Sequence, residues 1–214
     1  MKKRIFVTAT NTDVGKTYTT KLLLKEFASR GLSVGVIKPI ETGVVEYPLD
    51  GEALLECVKE LNPKLWALDI EDVVPITYAL PAAPYVASGA KPLDVKKILH
   101  AIEEIENQCD ILIIEGAGGL YVPIDKELMM LDLIEKLNAV TLLVTHCSLG
   151  CINDTLLSQK ALQSRNIPHV IAFNCRDNDV SFAKVSEPYF LESGMEVLKV
   201  ASDIEKIGDV LYNL

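Results

Sequence analysis

Along the chain, short runs of nearly continuous apolar residues alternate with longer stretches in which apolar residues recur every three or four positions. The short runs fall at 4–8, 33–37, 111–114, 140–144 and 170–173, with a weaker one at 197–200. They are rich in Val, Ile and Leu and do not alternate with polar residues, the pattern of strands covered on both faces. The longer stretches, at 16–29, 51–61, 94–107, 129–137, 152–165 and 182–193, carry helical spacing, as in Leu22, Leu23 and Phe27 or Ile98, Ile102 and Ile105. Gly31 follows the first of them in a position to stop it, and Asp94 precedes the third as an N-cap. Strand and helix in alternation predict an α/β fold, a mostly parallel sheet with helices on both faces, in one domain over 1–214. Residues 75–92, with Pro75, Pro81, Pro84 and Pro92, break the pattern and read as a surface excursion or lid.

Composition changes this picture little. Hydrophobic residues make up 49% and charged residues 24%, an ordinary globular balance. The formal net charge of −9 argues against a nucleic-acid or anionic-membrane surface, which would need clustered Lys and Arg. It does not argue against a small phosphorylated ligand, which a few backbone N–H groups, a lysine or two and a metal can hold. The basic start, Met1 to Arg4, is followed by only Ile5, Phe6 and Val7 before the chain turns polar, too short for a signal-peptide core. No apolar run approaches the roughly 18 to 20 residues that span a bilayer. The expectation is a cytoplasmic protein without nucleic-acid or membrane partners. Cys57, Cys109, Cys147, Cys151 and Cys175 are odd in number and scattered, so buried free thiols are expected rather than zinc or disulfides.

Three segments carry chemistry. The first, Thr8-Ala9-Thr10-Asn11-Thr12-Asp13-Val14-Gly15-Lys16-Thr17, follows the first strand and opens the first helix. Its end is that of a phosphate-binding loop: Gly15 lets the backbone approach phosphates, Lys16 reaches their outer oxygens, and the Thr17 hydroxyl is a ligand for Mg²⁺. The strict G-x-x-x-x-G-K-[ST] pattern fails at Thr10. The second, Lys38-Pro39-Ile40-Glu41-Thr42-Gly43, ends the second strand and puts Lys38 on the same rim of the sheet as Lys16, where open α/β sheets bind ligands. The third, Glu115-Gly116-Ala117-Gly118-Gly119, sets a carboxylate at the end of a buried strand, as in a Walker-B-type metal site, followed by glycines that admit a ligand.

Together these segments resemble dethiobiotin synthetases, which carry T-G-T-[DN]-T-x-V-G-K-T, K-P-x-x-[ST]-G and E-G-A-G-G in this order and at similar separations. Leu149-Gly150-Cys151-Ile152-Asn153 adds a fourth match, to L-G-[CT]-[IL]-N. The resemblance spans roughly residues 3 to 175; the last forty residues match poorly. It implies a nucleotide site built from Asp13, Val14, Gly15, Lys16, Thr17 and Tyr18, from Asp50, and from Glu115, Gly116, Ala117 and Gly118, with Asn174 at the base. It implies Mg²⁺ on Thr17, Glu115 and a carboxylate after the Lys-Pro loop, Asp50 or Glu52, with Asp50 preferred because the family uses Asp. It implies a 7,8-diaminononanoate site lined by Thr12, Asp13, Lys38, Thr42 and Gly118, completed by Leu149, Gly150, Cys151 and Asn153 across a homodimer interface. Lys16 and Lys38 are the implied catalytic residues, acting on ATP and a carbamate made with CO₂ or bicarbonate. This chain departs from the pattern at Ala9, where the family has the first loop glycine. It also departs at Asp13, where Glu is also found, and at Cys175, where Asp is usual, leaving adenine recognition expected to be loose.

Two other readings share the loop. A partitioning or septum-placement ATPase would carry another lysine early in the loop, where Ala9 to Asn11 stand, and often a membrane helix or basic patch. A synthetase of the cobyrinic-acid type would need a glutaminase domain, which 214 residues are not expected to hold.

Overall fold

The computed structural model describes residues 2–214. In chain order the principal elements are β1 (Lys3–Ala9), α1 (Lys16–Ser29), β2 (Val34–Ile37), β3 (Ile40–Thr42), α2 (Leu49–Leu61), α3 (Ile70–Val73), β4 (Ile76–Tyr78), α4 (Pro84–Ala87), α5 (Val95–Glu106), β5 (Ile111–Gly119), α6 (Met130–Leu137), β6 (Val140–His146), α7 (Cys151–Ser164), β7 (His169–Asn174), α8 (Phe182–Val185), α9 (Glu187–Glu192), β8 (Leu198–Lys199) and α10 (Ile204–Asn213). Six strands form one parallel sheet in the order β2-β5-β1-β6-β7-β8. All six predicted strands are in it. Helices lie on both faces, as the doubly buried strands require: Ile5, Phe6, Val7, Ile113, Ile114, Leu142 and Leu143 have no exposed surface. Gly31 stops α1 at φ +80°, donating its N–H to Ala28 O, and the Asp94 side chain caps α5 by accepting from Lys97 N.

Four features differ from the sequence expectation. β5 does not stop at 114 but continues through Gly119, so Glu115 pairs with Val7 inside the sheet and Gly119 with Ala9, across a register shift. Glycine cannot advertise a strand by its side chain, and here its lack of one is what admits the neighbours: a Cβ on Gly116 would meet the Phe6 ring at 2.8 Å. A second, two-stranded parallel sheet joins β3 to β4, so residues 75–92 are partly structure and not only an excursion. The predicted helix at 182–193 is two short ones, with Pro188 in the first turn of α9, where its missing N–H costs nothing. Finally, Cys147 and Cys175 form a disulfide, their Cα atoms 4.9 Å apart, against the expectation of free thiols; Cys57, Cys109 and Cys151 are free and buried. The cause is register. His146 pairs with Asn174 across β6 and β7, so the residue after each strand lands beside the other, a relation that sequence spacing does not reveal.

Adjacency of β2, β5 and β1 brings the loops after all three to one rim. That rim holds the site.

Candidate functional site

The loop between β1 and α1 closes on Gly15, which precedes the helix at φ +100°. Glycine is required there twice over. The conformation is one that L side chains rarely adopt, and an added Cβ would lie 2.1 Å from Asn174 Nδ2. Asn174, at the end of β7, donates to Val14 O at 2.8 Å, and the Arg176 guanidinium bonds Asp13 O, so the loop is held from its far side. Asp13 also has positive φ, at +58°. The first amides of α1 then point into the cleft with the positive end of the helix dipole.

At the floor lies Glu115, with 0% exposure. Its Oε1 accepts from Thr17 Oγ1 at 2.9 Å and from Lys38 Nζ at 2.7 Å, while Oε2 accepts from Thr20 Oγ1 at 2.8 Å. Lys38 extends from the end of β2, is 3% exposed, and donates a second bond to Asp50 Oδ2 at 2.8 Å. Burial alone would lower the Lys38 pKa; the Glu115 and Asp50 carboxylates outweigh it and hold the ammonium well above its ordinary value. Burial likewise works against ionised Asp50, but Lys38 reverses the sign and its carboxyl lies below the usual range. Lys16 goes the other way, lowered by burial and by the charge of Lys38. Among the described residues its Nζ has only Asn11 O, at 3.5 Å, as a partner. A weakly held, partly desolvated ammonium is well suited to an incoming anion.

These residues enclose a cleft of about 570 Å³. It gathers predicted positions from three separated segments: Thr12, Asp13, Gly15, Lys16 and Thr17; Lys38, Thr42 and Asp50; Ala117 and Gly118. Asp50 rather than Glu52 reaches Lys38; Glu52 is exposed on α2. Tyr18 is half exposed on the outer face of α1, and Val14 and Gly116 are buried behind the cleft. Leu149, Gly150 and Asn153 lie outside the cleft, exposed at the start of α7. Cys151 is fully buried and gives its N–H to Ser148 O, so it has least to offer a ligand. A larger depression of about 730 Å³ lies at the opposite ends of the strands, beside Lys3, Asp110 and Tyr212, without a comparable constellation. Glu41, Thr20 and Arg176 belong to the site and were not foreseen. Thr20 sits one helical turn beyond Thr17, a spacing that could have suggested it.

The residues suit a hard divalent cation. Thr17, Glu115 and Asp50 offer oxygen donors, and the Lys38 ammonium bridging two of the carboxylates shows that the spot favours positive charge. Magnesium is commonly held by one or two carboxylates together with phosphate oxygens and water. Among the described residues there is no cluster of three or more His, Cys, Asp or Glu side chains.

Residues 3–210 match a family model described as an AAA domain. The ATP-dependent dethiobiotin synthetase BioD of Sulfurovum sp. (strain NBC37-1) is 46% identical over 186 residues, 87% of this chain and 89% of that protein. The protein of the same name from Wolinella succinogenes is 37% identical over 214 residues, 99% of both chains. The chain belongs to the dethiobiotin synthetase family. Membership extends through the C-terminal residues that looked dissimilar in sequence, since the second alignment takes in nearly the whole chain. Among solved structures, a plasmid partition protein from Borrelia burgdorferi superposes with a TM-score of 0.57 at 11% identity, covering 99% of this chain and 96% of that one. A ParA family ATPase from Chlorobium tepidum TLS gives 0.53 at 14% identity, over 99% and 92%. At such identities the likeness is one of fold alone, and it does not extend the partitioning reading to this family member.

Proposed function

We propose that this chain closes the ureido ring of dethiobiotin from 7,8-diaminononanoate and CO₂, with ATP as co-substrate and Mg²⁺ as its metal. The observation that carries the reading is the convergence of Lys16, which opens α1, and Lys38, which follows β2, on one cleft floored by Glu115 and Thr17. Such an arrangement matches phosphoryl transfer to a small anion, and the named relatives supply the reaction.

In this reading, one amine of the substrate takes up CO₂ and loses a proton to become a carbamate. A carbamate oxygen attacks the γ-phosphorus of ATP; the new O–P bond forms as the bond to the β-phosphate oxygen breaks and ADP leaves. The second amine then attacks the carbonyl carbon of the carbamic–phosphoric anhydride. A C–N bond forms and the C–O bond to the phosphoryl group breaks. The attacking nitrogen gives up a proton that phosphate or solvent accepts, phosphate departs, and the ring is closed. No side-chain nucleophile is needed. The loop amides and Lys16 fix the β- and γ-phosphates, while Lys38 lies between carbamate and γ-phosphate and balances the negative charge of both. Thr17, Glu115 and Asp50 would hold Mg²⁺, which would supply neutralisation of the phosphate charge. Asn174 faces the base, and Thr12, Asp13, Thr42 and Gly118 line the diamine.

The substrate's carboxylate tail is received by residues 149–153 of a second copy in a homodimer. Support comes from the exposed amino end of α7, which favours an anion, and from Leu149 just before it, 86% exposed. Among the described residues no helix is long and apolar enough to cross a membrane, in keeping with a cytoplasmic enzyme.

The test is an incubation of purified chain with ATP, Mg²⁺, bicarbonate and 7,8-diaminononanoate, with dethiobiotin followed by mass. Phosphate release that ignores the diamine would overturn the substrate. Sedimentation at increasing concentration checks the dimer.

A further inference from the structure

We propose that Glu41 is the positioning residue that aims Asp50 at the metal and Lys38. The inference rests on the reading of Asp50 as a metal carboxylate and adds a residue that acts through it.

Helix α2 starts without a side-chain cap of its own. Its N-cap is Pro48, and no side chain within the local sequence accepts from its first turn. Free N–H groups in a first turn need partners when they are not exposed. Glu41 supplies them from another element. Held in β3 by pairing with Thr77 of β4, it is 7% exposed and reaches the helix start with both oxygens: Oε1 accepts from Asp50 N at 3.2 Å and Oε2 from Gly51 N at 2.9 Å. Gly51 makes that approach workable. A Cβ there would lie 2.1 Å from Val74 Cγ2 and 3.3 Å from Glu41 Oε2, so a larger residue would collide with Val74 and crowd the glutamate. The negative charge also opposes the positive end of the α2 dipole.

A cap by itself would be a stability device. What distinguishes Glu41 is the residue whose backbone it grips. Asp50 donates its N–H to Glu41 and directs Oδ2 to Lys38 Nζ at 2.8 Å, and Lys38 continues to Glu115 at 2.7 Å. Asp50 is about half exposed on its side chain, so little packing fixes its direction. Lys38 holds its Oδ2 from the cleft side, and the grip of Glu41 on its N–H and on that of Gly51 sets the backbone from which it reaches. Glu41 also lines the catalytic cleft, so the restraint is applied from inside the site.

The experiment titrates Mn²⁺ into the chain with a non-hydrolysable ATP analogue and follows free ion by electron paramagnetic resonance. E41A, E41Q, D50N and the E41A/D50N pair are compared with the parent, each first melted to show that it folds. E41A should weaken Mn²⁺ by roughly tenfold or more, as loss of an outer partner of a metal ligand commonly does. Analogue affinity without metal should stay within about threefold. E41Q, which keeps one acceptor oxygen but sets an NH₂ against the second N–H, should fall between, and it carries the test if E41A does not fold. The double variant should bind Mn²⁺ no more weakly than D50N alone, because Glu41 acts through Asp50. Parent-like Mn²⁺ affinity in E41A beside a weakened D50N would overturn the role of Glu41 and leave Asp50 standing. A D50N that binds like the parent would overturn both. Losses that multiply in the double variant would show that Glu41 acts by another route and also overturn the proposal.

Discussion

The Lys38 ammonium lies 2.7 Å from the Glu115 carboxylate, and Glu115 is wholly removed from solvent. Breaking such a pair from one side leaves a buried charge whose remaining partners are the Thr17 and Thr20 hydroxyls. K38A should therefore do two things. Turnover should fall by orders of magnitude, because the proposed reaction places this charge between carbamate and phosphate. Stability should fall by about 3–5 kcal/mol, the usual cost of an orphaned buried ion. Urea denaturation of K38A, E115Q and K38A/E115Q separates the two: the double variant should lose less than the sum of the singles, since neutralising Glu115 removes what K38A exposes. Turnover of K38A near that of the parent would end the catalytic assignment.

Gly15 meets two constraints that can be tested apart. G15A forces a side chain into a left-handed conformation, at about 1–2 kcal/mol. It also drives a methyl group to 2.1 Å from Asn174 Nδ2. Nucleotide affinity measured by calorimetry should drop at least tenfold. Because Asn174 also holds Val14 O and is placed at the base, G15A/N174A is compared with N174A alone. There G15A keeps the strain without the collision and should cost less than it does in the parent, though still a measurable amount. No cost at all in that background would mean that the backbone conformation is not the issue.

The disulfide is open to a count. Denatured without reductant and treated with iodoacetamide, the chain should take up label on Cys57, Cys109 and Cys151 only; after reduction, all five cysteines should react, read by intact mass. With its ends 28 positions apart, the link should contribute about 2–4 kcal/mol, lost in C175S under oxidising conditions. Five labels without reductant would remove the crosslink from this account.

Arg4 and Glu106 join β1 to α5 through two parallel bonds, at 2.7 and 2.8 Å. The hydrogen bond from Arg4 holds the Glu106 carboxyl below the usual range. A group lowered in the folded state contributes its stability above its unfolded pKa, about 4.3 for glutamate, and loses it as pH falls through the lower folded value. E106Q should thus cost about 1 kcal/mol at neutral pH, a partly exposed pair with good geometry. The difference from the parent should shrink below pH 4 and vanish in stronger acid. Melting curves at pH 7, 4 and 3 give the answer; an equal gap at all three would contradict the ion pair.

Much of this architecture was legible in the sequence, for reasons that also explain what was not. Apolar runs report strands buried on both faces, so all six main strands could be read, and Gly15-Lys16-Thr17 is contiguous and needs no distant partner. Lys38 and Glu115 could be placed on the same rim because strand ends in a parallel sheet share a direction. Glu41 could not. Its partners are the backbone N–H groups of Asp50 and Gly51, and nothing in a glutamate between Ile40 and Thr42 announces that it will be buried. The Cys147–Cys175 link depends on the β6–β7 register, which spacing along the chain cannot supply. The preference for Asp50 over Glu52 was guided by resemblance; in the fold Asp50 is the one of the two that bonds Lys38.

The last helix was without a role in the sequence, yet it holds the other end of the helix that opens the phosphate loop. At the close of α1, the Arg30 guanidinium donates to Asp209 Oδ1 at 2.6 Å and to Glu205 O at 2.8 Å, both on α10. Gly208 lets α10 approach, since a Cβ there would stand 3.0 Å from Arg30 Nη2. A ligand that tightens the amino end of α1 therefore acts on a rod whose far end is tied to the chain's C-terminus. By reciprocity, nucleotide should slow amide hydrogen exchange in residues 204–213, far from any phosphate, and trimming those residues should weaken nucleotide binding.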